Sequence, residues 1–176
     1  MSRSKPINVV AAAAVIPLTA LAVAGCGGGS NDATGSTPPP KASNGRAATV
    51  SVANNAGLGN ILVDSNGRTL YLFKKDSGTK SSCFGPCAKN WPPLRATGKP
   101  TAGNGASASS IGTIPRSDGK PEVTYNGHPL YLFAGDSKPG DANGQGIVAF
   151  GASWYALSGS GKQISGSSAG GGTSGY

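Results

Sequence analysis

Two thiols, Cys83 and Cys87, and two carboxylates, Asp76 and Asp136, have the types and spacing to do chemistry in this sequence. A Cys-x-x-x-Cys pair can cycle between dithiol and disulfide, or offer soft thiolates to Cu(I), and the single histidine, His128, could join it. That option makes a copper-binding or thiol-redox protein the alternative reading of the chain. Against it, His128 follows Asn126-Gly127 and precedes Pro129, which puts it on an exposed turn, and the only thioether is Met1. Two acids in matching positions invite a general acid-base reading, but a catalytic pair is seldom retained in both copies of a duplicated unit. A structural role is expected for them instead, accepting hydrogen bonds from backbone N–H groups of the next turn or from a tyrosine hydroxyl. The loop from Asp136 to Gly146 carries Asp141 and Asn143 among glycines, an oxygen-rich stretch of the kind calcium uses, but it lacks the EF-hand spacing and its terminal Glu. There is no Gly-x-Ser-x-Gly, His-Glu-x-x-His or phosphate loop, and one histidine on a hairpin tip cannot be presumed to serve a nucleophile. No catalytic residue, metal site or cofactor is therefore assigned, and the chain is read as a non-enzyme.

The acids belong to a repeated element. Leu70-Tyr71-Leu72-Phe73 followed by Asp76 recurs 60 positions later as Leu130-Tyr131-Leu132-Phe133 followed by Asp136, each preceded by Asn-Gly, at Asn66-Gly67 and Asn126-Gly127. Trp91-Pro92-Pro93-Leu94 has a looser echo in Trp154-Tyr155-Ala156-Leu157. Tyr71, Phe73, Asp76, Tyr131, Phe133 and Asp136 are thus architectural first. Apolar runs of four to six residues bounded by Gly, Asn, Asp and Pro follow a strand pattern. Strands are expected at 49–53, 61–64, 68–73, 122–125, 129–133, 147–150 and 153–157, with an edge strand at 111–114 closed by Pro115 and one helical turn near 88–91. Asn-Gly is the strongest short hairpin signal. Counting outward pairs Val63 with Leu70 and Val123 with Leu130. Leu70 and Leu72 then point to one side and Tyr71 and Phe73 to the other, which requires burial on both faces or an aromatic face that meets something. Most of these aromatics, with Trp91 and Trp154, are expected in the core; a minority could form a stacking platform. The expectation is an all-β domain of two homologous hairpin or meander repeats, about 49–95 and 111–158, packed as a small sandwich or barrel-like body about a pseudo-twofold.

The first 26 residues carry an address. Arg3 and Lys5 precede an apolar run from Val9 to Val23, too short for a membrane span, and the run ends Val23-Ala24-Gly25-Cys26. This resembles the bacterial lipobox, which implies cleavage after residue 25 and a diacylglyceryl or acyl chain, palmitate among them, on Cys26. Three cysteines leave an odd thiol in an exported protein; acylating Cys26 leaves Cys83 and Cys87 to form a disulfide, helped by the Gly85-Pro86 bend. Residues 26–46 read as a flexible Gly, Pro and Ser tether, 47–158 as the folded domain, and 159–176 as a disordered Gly/Ser tail. From Cys26 onward 13 Lys and Arg stand against 7 Asp and Glu, a net +6, which favours attraction to anionic envelope polymers or lipid. The basic residues are too scattered for a nucleic-acid patch.

Taken together, the doubled Leu-Tyr-Leu-Phe-x-x-Asp, Cys83-x-x-x-Cys87 with Trp91-Pro92-Pro93, and Pro139-Gly140-Asp141 through Gly144-Gln145-Gly146 to Trp154 resemble the bacterial lipoproteins with a tandem secreted Tyr-x-aromatic-x-x-Asp repeat. The resemblance spans about residues 50–158. It implies an exported, envelope-anchored protein facing the extracytoplasmic side and, the family being of unknown function, no reaction. The expected function is a non-catalytic binding or structural module, its partner an anionic polymer or another envelope protein.

Overall fold

A computed structural model describes residues 47–166 of the chain. The strands are β1 (Thr49–Asn55), β2 (Gly59–Val63), β3 (Tyr71–Phe73), β4 (Thr101–Ala102), β5 (Ile111–Pro115), β6 (Pro121–Tyr125), β7 (His128–Pro129), β8 (Val148–Ala149) and β9 (Ala152–Ala156). One short helix, α1 (Pro86–Asn90), and a 3₁₀ turn at Ala108–Ser110 complete the regular structure. The strands form three small sheets in the orders β2-β1-β4, β3-β9-β8 and β5-β6-β7. The domain is all-β, duplicated and sandwich-like, without barrel closure.

The two copies meet at their tyrosines. Tyr71 N donates to Tyr131 O at 2.9 Å and Tyr131 N to Tyr71 O at 3.0 Å, so a pseudo-twofold axis passes between the two motif strands. Beyond that point each copy pairs with the other. Phe73 lies opposite Trp154 in the β3–β9 ladder, and in the related position Leu132 N donates to Pro92 O at 2.8 Å while Pro93 bridges Tyr131. Each Tyr-Leu-Phe segment thus takes its partner from the Trp-x-x-Leu segment of the opposite repeat.

Alternation along the motif strands sorts the side chains into two cores, as expected for strands apolar on both faces. Leu70, Leu72, Leu130 and Leu132 enter an aliphatic core with Val50, Leu62, Leu94, Val123 and Leu157. Tyr71, Phe73 and Tyr131 enter an aromatic core with Trp91, Trp154 and both sulfurs of Cys83 and Cys87, Phe133 packing at its margin. There the rings stack in the order Phe73, Trp154, Trp91, Phe133, with centroids 4.0, 3.9 and 4.4 Å apart. Tyr71 meets Trp91 edge-on at 5.4 Å and Tyr131 meets Trp154 edge-on at 5.2 Å. The axis therefore also runs between the two tryptophans.

Three local expectations are corrected. In the second hairpin Tyr125 faces His128 as counted, with Asn126 and Gly127 at φ 48° and 79°. In the first, Val63 bridges Thr69 instead of Leu70, and Leu70 N donates to Leu62 O at 2.9 Å. The cause is Asp64, whose Oδ1 accepts from Asn66 N and Arg68 N and whose Oδ2 accepts from the Arg68 guanidinium at 2.7 Å. That carboxylate draws the loop into a three-residue turn in which only Gly67 is left-handed, at φ 75°. Second, the connection between the repeats contributes β4, a parallel partner of β1 at Thr49 and Val50. Third, residues 159–166, read as disordered tail, are bound to the sheet: Leu157 bridges Gln163, Ile164 N donates to Ala156 O at 3.0 Å, and Gln145 Nε2 donates to the Ile164 and Gly166 carbonyls. The tether, and the tail past 166, lie outside the described residues.

Candidate functional site

Around the axis the motif residues build two latches, one buried and one part-buried. In both copies the Phe-x-x-Asp spacing closes a tight turn, Asp76 N donating to Phe73 O and Asp136 N to Phe133 O, each at 3.1 Å. The turn aims each carboxylate across the axis. Tyr71 Oη donates to Asp136 Oδ2 at 2.7 Å and Tyr131 Oη to Asp76 Oδ2 at 2.8 Å. The second oxygen of each acid is held by its own loop: Asp136 Oδ1 accepts from Asn143 N at 2.9 Å, and Asp76 Oδ1 from Ser82 N and Oγ, both at 2.7 Å. Gly144 stands where a Cβ would lie 2.8 Å from the Trp91 ring and 2.9 Å from the Tyr71 ring, so only glycine lets its N–H approach the Tyr71 hydroxyl, at 3.3 Å.

The electrostatics fix the protons in place. Burial, then the facing carboxylate, raises the Tyr71 hydroxyl above its ordinary range. Tyr131 is raised by burial and by Glu122 and Asp76. Burial raises Asp76 and Asp136 as well, against the hydrogen bonds that hold their charge. The tyrosines therefore keep their protons as donors, while each acid gives up its charge at a higher pH than an exposed carboxyl would.

On one side the latch continues into a network the sequence reading did not foresee. Ser81 Oγ lies 2.6 Å from Tyr131 Oη and accepts from Arg116 Nη1 at 2.5 Å. Arg116 also donates to Glu122 Oε2 at 2.7 Å and to Cys83 O at 2.6 Å. Both ions are buried, and Arg116 Nε and Glu122 Oε1 have no hydrogen-bond partner. Burial outweighs the Arg116 contact and raises the Glu122 carboxyl to about 7. The one available signal was Glu122 standing in an otherwise strand-like run.

A family of secreted repeats of unknown function has a model that matches residues 52–95 and 112–158, the two halves related by the axis. The chain belongs to this family. No curated protein and no solved structure matches it. Membership makes the chain an exported protein of the envelope or the exterior.

In this secreted repeat the two sulfurs are joined, Cys83 to Cys87 across a Cα–Cα distance of 5.2 Å, and both are buried against the aromatic core. His128 lies exposed in the β6–β7 turn and is not brought to them. Of the calcium-like loop, Asp141 Oδ2 accepts from Ser137 N, Ser137 Oγ and Lys138 N. Among the described residues no three His, Cys, Asp or Glu side chains converge as a metal group would require. Two open grooves mark the surface. One of about 750 Å³ runs past Lys99, Pro100, Ile111 and Pro121. One of about 400 Å³ lies between Lys80, Phe84 and Arg116. No helix of the described residues is long and apolar enough to cross a membrane. Cys26 lies outside the described residues.

Proposed function

We propose that this protein is a non-catalytic module of the cell envelope, anchored by an acylated Cys26 on the outer side of the membrane, whose duplicated scaffold presents a surface to an anionic envelope polymer. The observation that carries the reading is the reciprocal latch: the acids and hydroxyls that a reaction would need are wholly or partly buried and are engaged by one another and by their own loops. The groove between Lys80, Phe84 and Arg116 is the surface such a module would use: Lys80 and Phe84 are exposed in it, and the buried Arg116 guanidinium backs the Phe84 ring at 4.5 Å. The copper or thiol-redox reading draws no support from sulfurs that are paired and buried. Anchoring is tested by feeding cells a fatty-acid analogue and partitioning the chain into detergent. The wild type takes up label and enters the detergent phase, and Cys26→Ser does neither; label retained by Cys26→Ser overturns the anchor. For the polymer, titration with a soluble polyanion is expected to shift amide resonances of residues 79–84 and 114–117. Shifts confined to the opposite face would refute the groove.

A further inference from the structure

We infer that the β8–β9 hairpin is a membrane-contacting tip, which sets Val148 and Phe150 into the interface of an anionic bilayer while Lys74 and Lys75 meet the headgroups. Val148 is 74% exposed and Phe150 40%, and among the described residues the one other exposed large apolar side chain, Phe84, is capped by Arg116. The turn is built at a cost. Phe150 and Gly151 both have positive φ, 56° and 89°, a pair that favours Asn-Gly, as the β6–β7 turn shows with Asn126 and Gly127. A bulky aromatic in that conformation strains the backbone, and here it gains little burial in return. The scaffold does not require it either: the first copy reaches Trp91 through α1 and the disulfide, with no hairpin.

The charges beside the tip are one-signed. Lys74 N donates to Ser153 O at 3.0 Å, and Lys75 Nζ lies 3.4 Å from Phe150 O, so both lysines leave the sheet next to the turn. Among the described residues no lysine pairs with a carboxylate; the ion pairs there are made by Arg68, Arg95 and Arg116. Asp76, the acid next along the chain, is engaged by Tyr131 and Ser82. One aromatic, one valine and two lysines are far too small for a protein interface of roughly 800 Å² per partner. They match the combination that seats a peripheral segment on anionic lipid, an apolar wedge flanked by cations. The contact is independent of acylation, because it uses the folded domain alone.

The test uses the chain from position 26 carrying Cys26→Ser, which keeps both repeats and cannot be acylated, in flotation with phosphatidylglycerol-containing and pure phosphatidylcholine vesicles. Binding to the anionic vesicles is expected. It weakens about tenfold with Phe150→Asn and about fivefold for each of Lys74→Gln and Lys75→Gln. Phe150→Asn installs the residue the turn favours, so its melting temperature equals or exceeds that of the wild type, and its lost binding is not unfolding. Phe150→Trp adds a third indole, whose emission shifts to the blue on anionic vesicles. Equal flotation of wild type and Phe150→Asn overturns the proposal. So does a Phe150→Trp emission that moves no more with vesicles than with a soluble polyanion, which would assign the lysines to polymer. A wild type that sediments as a dimer and becomes monomeric with Phe150→Asn would assign the tip to a second copy instead.

Discussion

Without its hydroxyl, Tyr71 would leave the buried Asp136 Oδ2 facing an aromatic ring with no donor. Orphaning a buried acceptor costs about 1–3 kcal/mol, so Tyr71→Phe is expected to lower the midpoint of chemical denaturation at unchanged slope. Tyr131→Phe should cost less, because Asp76 is only half-buried and water can replace the lost donor. No loss at either tyrosine would show that the latches do not hold the halves together, and equal losses would show that the exposure of Asp76 makes no difference. Glu122 offers a second test at this scale. Burial lifts its carboxyl from 4.5 to about 7 despite Arg116 at 2.7 Å, with Ser81, Asp76 and Tyr131 making up the rest of its polar surroundings. The folded state therefore holds a proton that the unfolded chain has released between those values, and stability falls as pH rises through that window. Asp76 and Asp136 are raised too and act in the same direction from their ordinary value upward, whereas Asp118 and Asp141 are lowered and act in the opposite direction at more acid pH. The melting temperature should drop by on the order of 5 °C between pH 5 and 7.5, and Glu122→Gln should flatten that drop. A wild-type profile that rises across the same range would mean that the ion pair, not burial, dominates the site.

At the scale of the element, α1 is five residues long, too short to hold itself, and it starts from the bend that the Cys83–Cys87 bond encloses. Closing so small a loop is worth about 2 kcal/mol in the chain-entropy view. Reduction, or Cys83→Ala with Cys87→Ala, should lower stability by that amount and weaken the near-ultraviolet dichroism of Trp91, which α1 leads into the ring stack. Unchanged dichroism on full reduction would show that the aromatic core positions Trp91 unaided. What could be read from the sequence divides along the same line between local and distant causes. Strand positions, the duplication and the disulfide follow from short-range features: Asn-Gly pairs, the 60-residue offset of Tyr71 and Tyr131, and an odd count of cysteines. The two Asn-Gly loops look alike yet turn differently, because Asp64 collects the amides of the first and no acid occupies the matching place before Asn126. Residues 160–166 have the composition of disorder, but Gln145, distant in sequence, and the end of β9 supply hydrogen bonds that hold them. The motif acids were expected to find a turn amide or a tyrosine, and they find both. That the tyrosine belongs to the other repeat is a matter of topology, which periodicity does not carry.

For the whole molecule, exchange of partners across the axis means that each repeat keeps its own β1–β2 or β5–β6–β7 ladder but lacks the partner of its motif strand. A fragment ending at Gly105 keeps β1, β2, β3, α1 and β4 but lacks β9 for Phe73, Tyr131 for Tyr71, Leu130 for Leu94 and Trp154 for the ring stack. What remains has one face of each core and no opposing face, and a few strands with nothing to bury against are not independently stable. The fragment should be largely unfolded at low concentration, with no near-ultraviolet signal from stacked tryptophans, and so should its complement from Ala106. Mixed in equal amounts, the two should recover the native spectrum with second-order kinetics, since the axis then passes between chains. One folded form stays open to the first fragment alone, a symmetric dimer in which Tyr71 pairs with Tyr71 and Trp91 with Trp91 of a second copy, the isologous arrangement that the duplicated chain carries out internally. Sedimentation at rising concentration separates these outcomes. A dimer would show that one repeat encodes the whole interface. A stable, dispersed monomer from either fragment would mean that the repeats are two small domains lying side by side, and the reciprocal latch would then be an ornament of their contact rather than its cause.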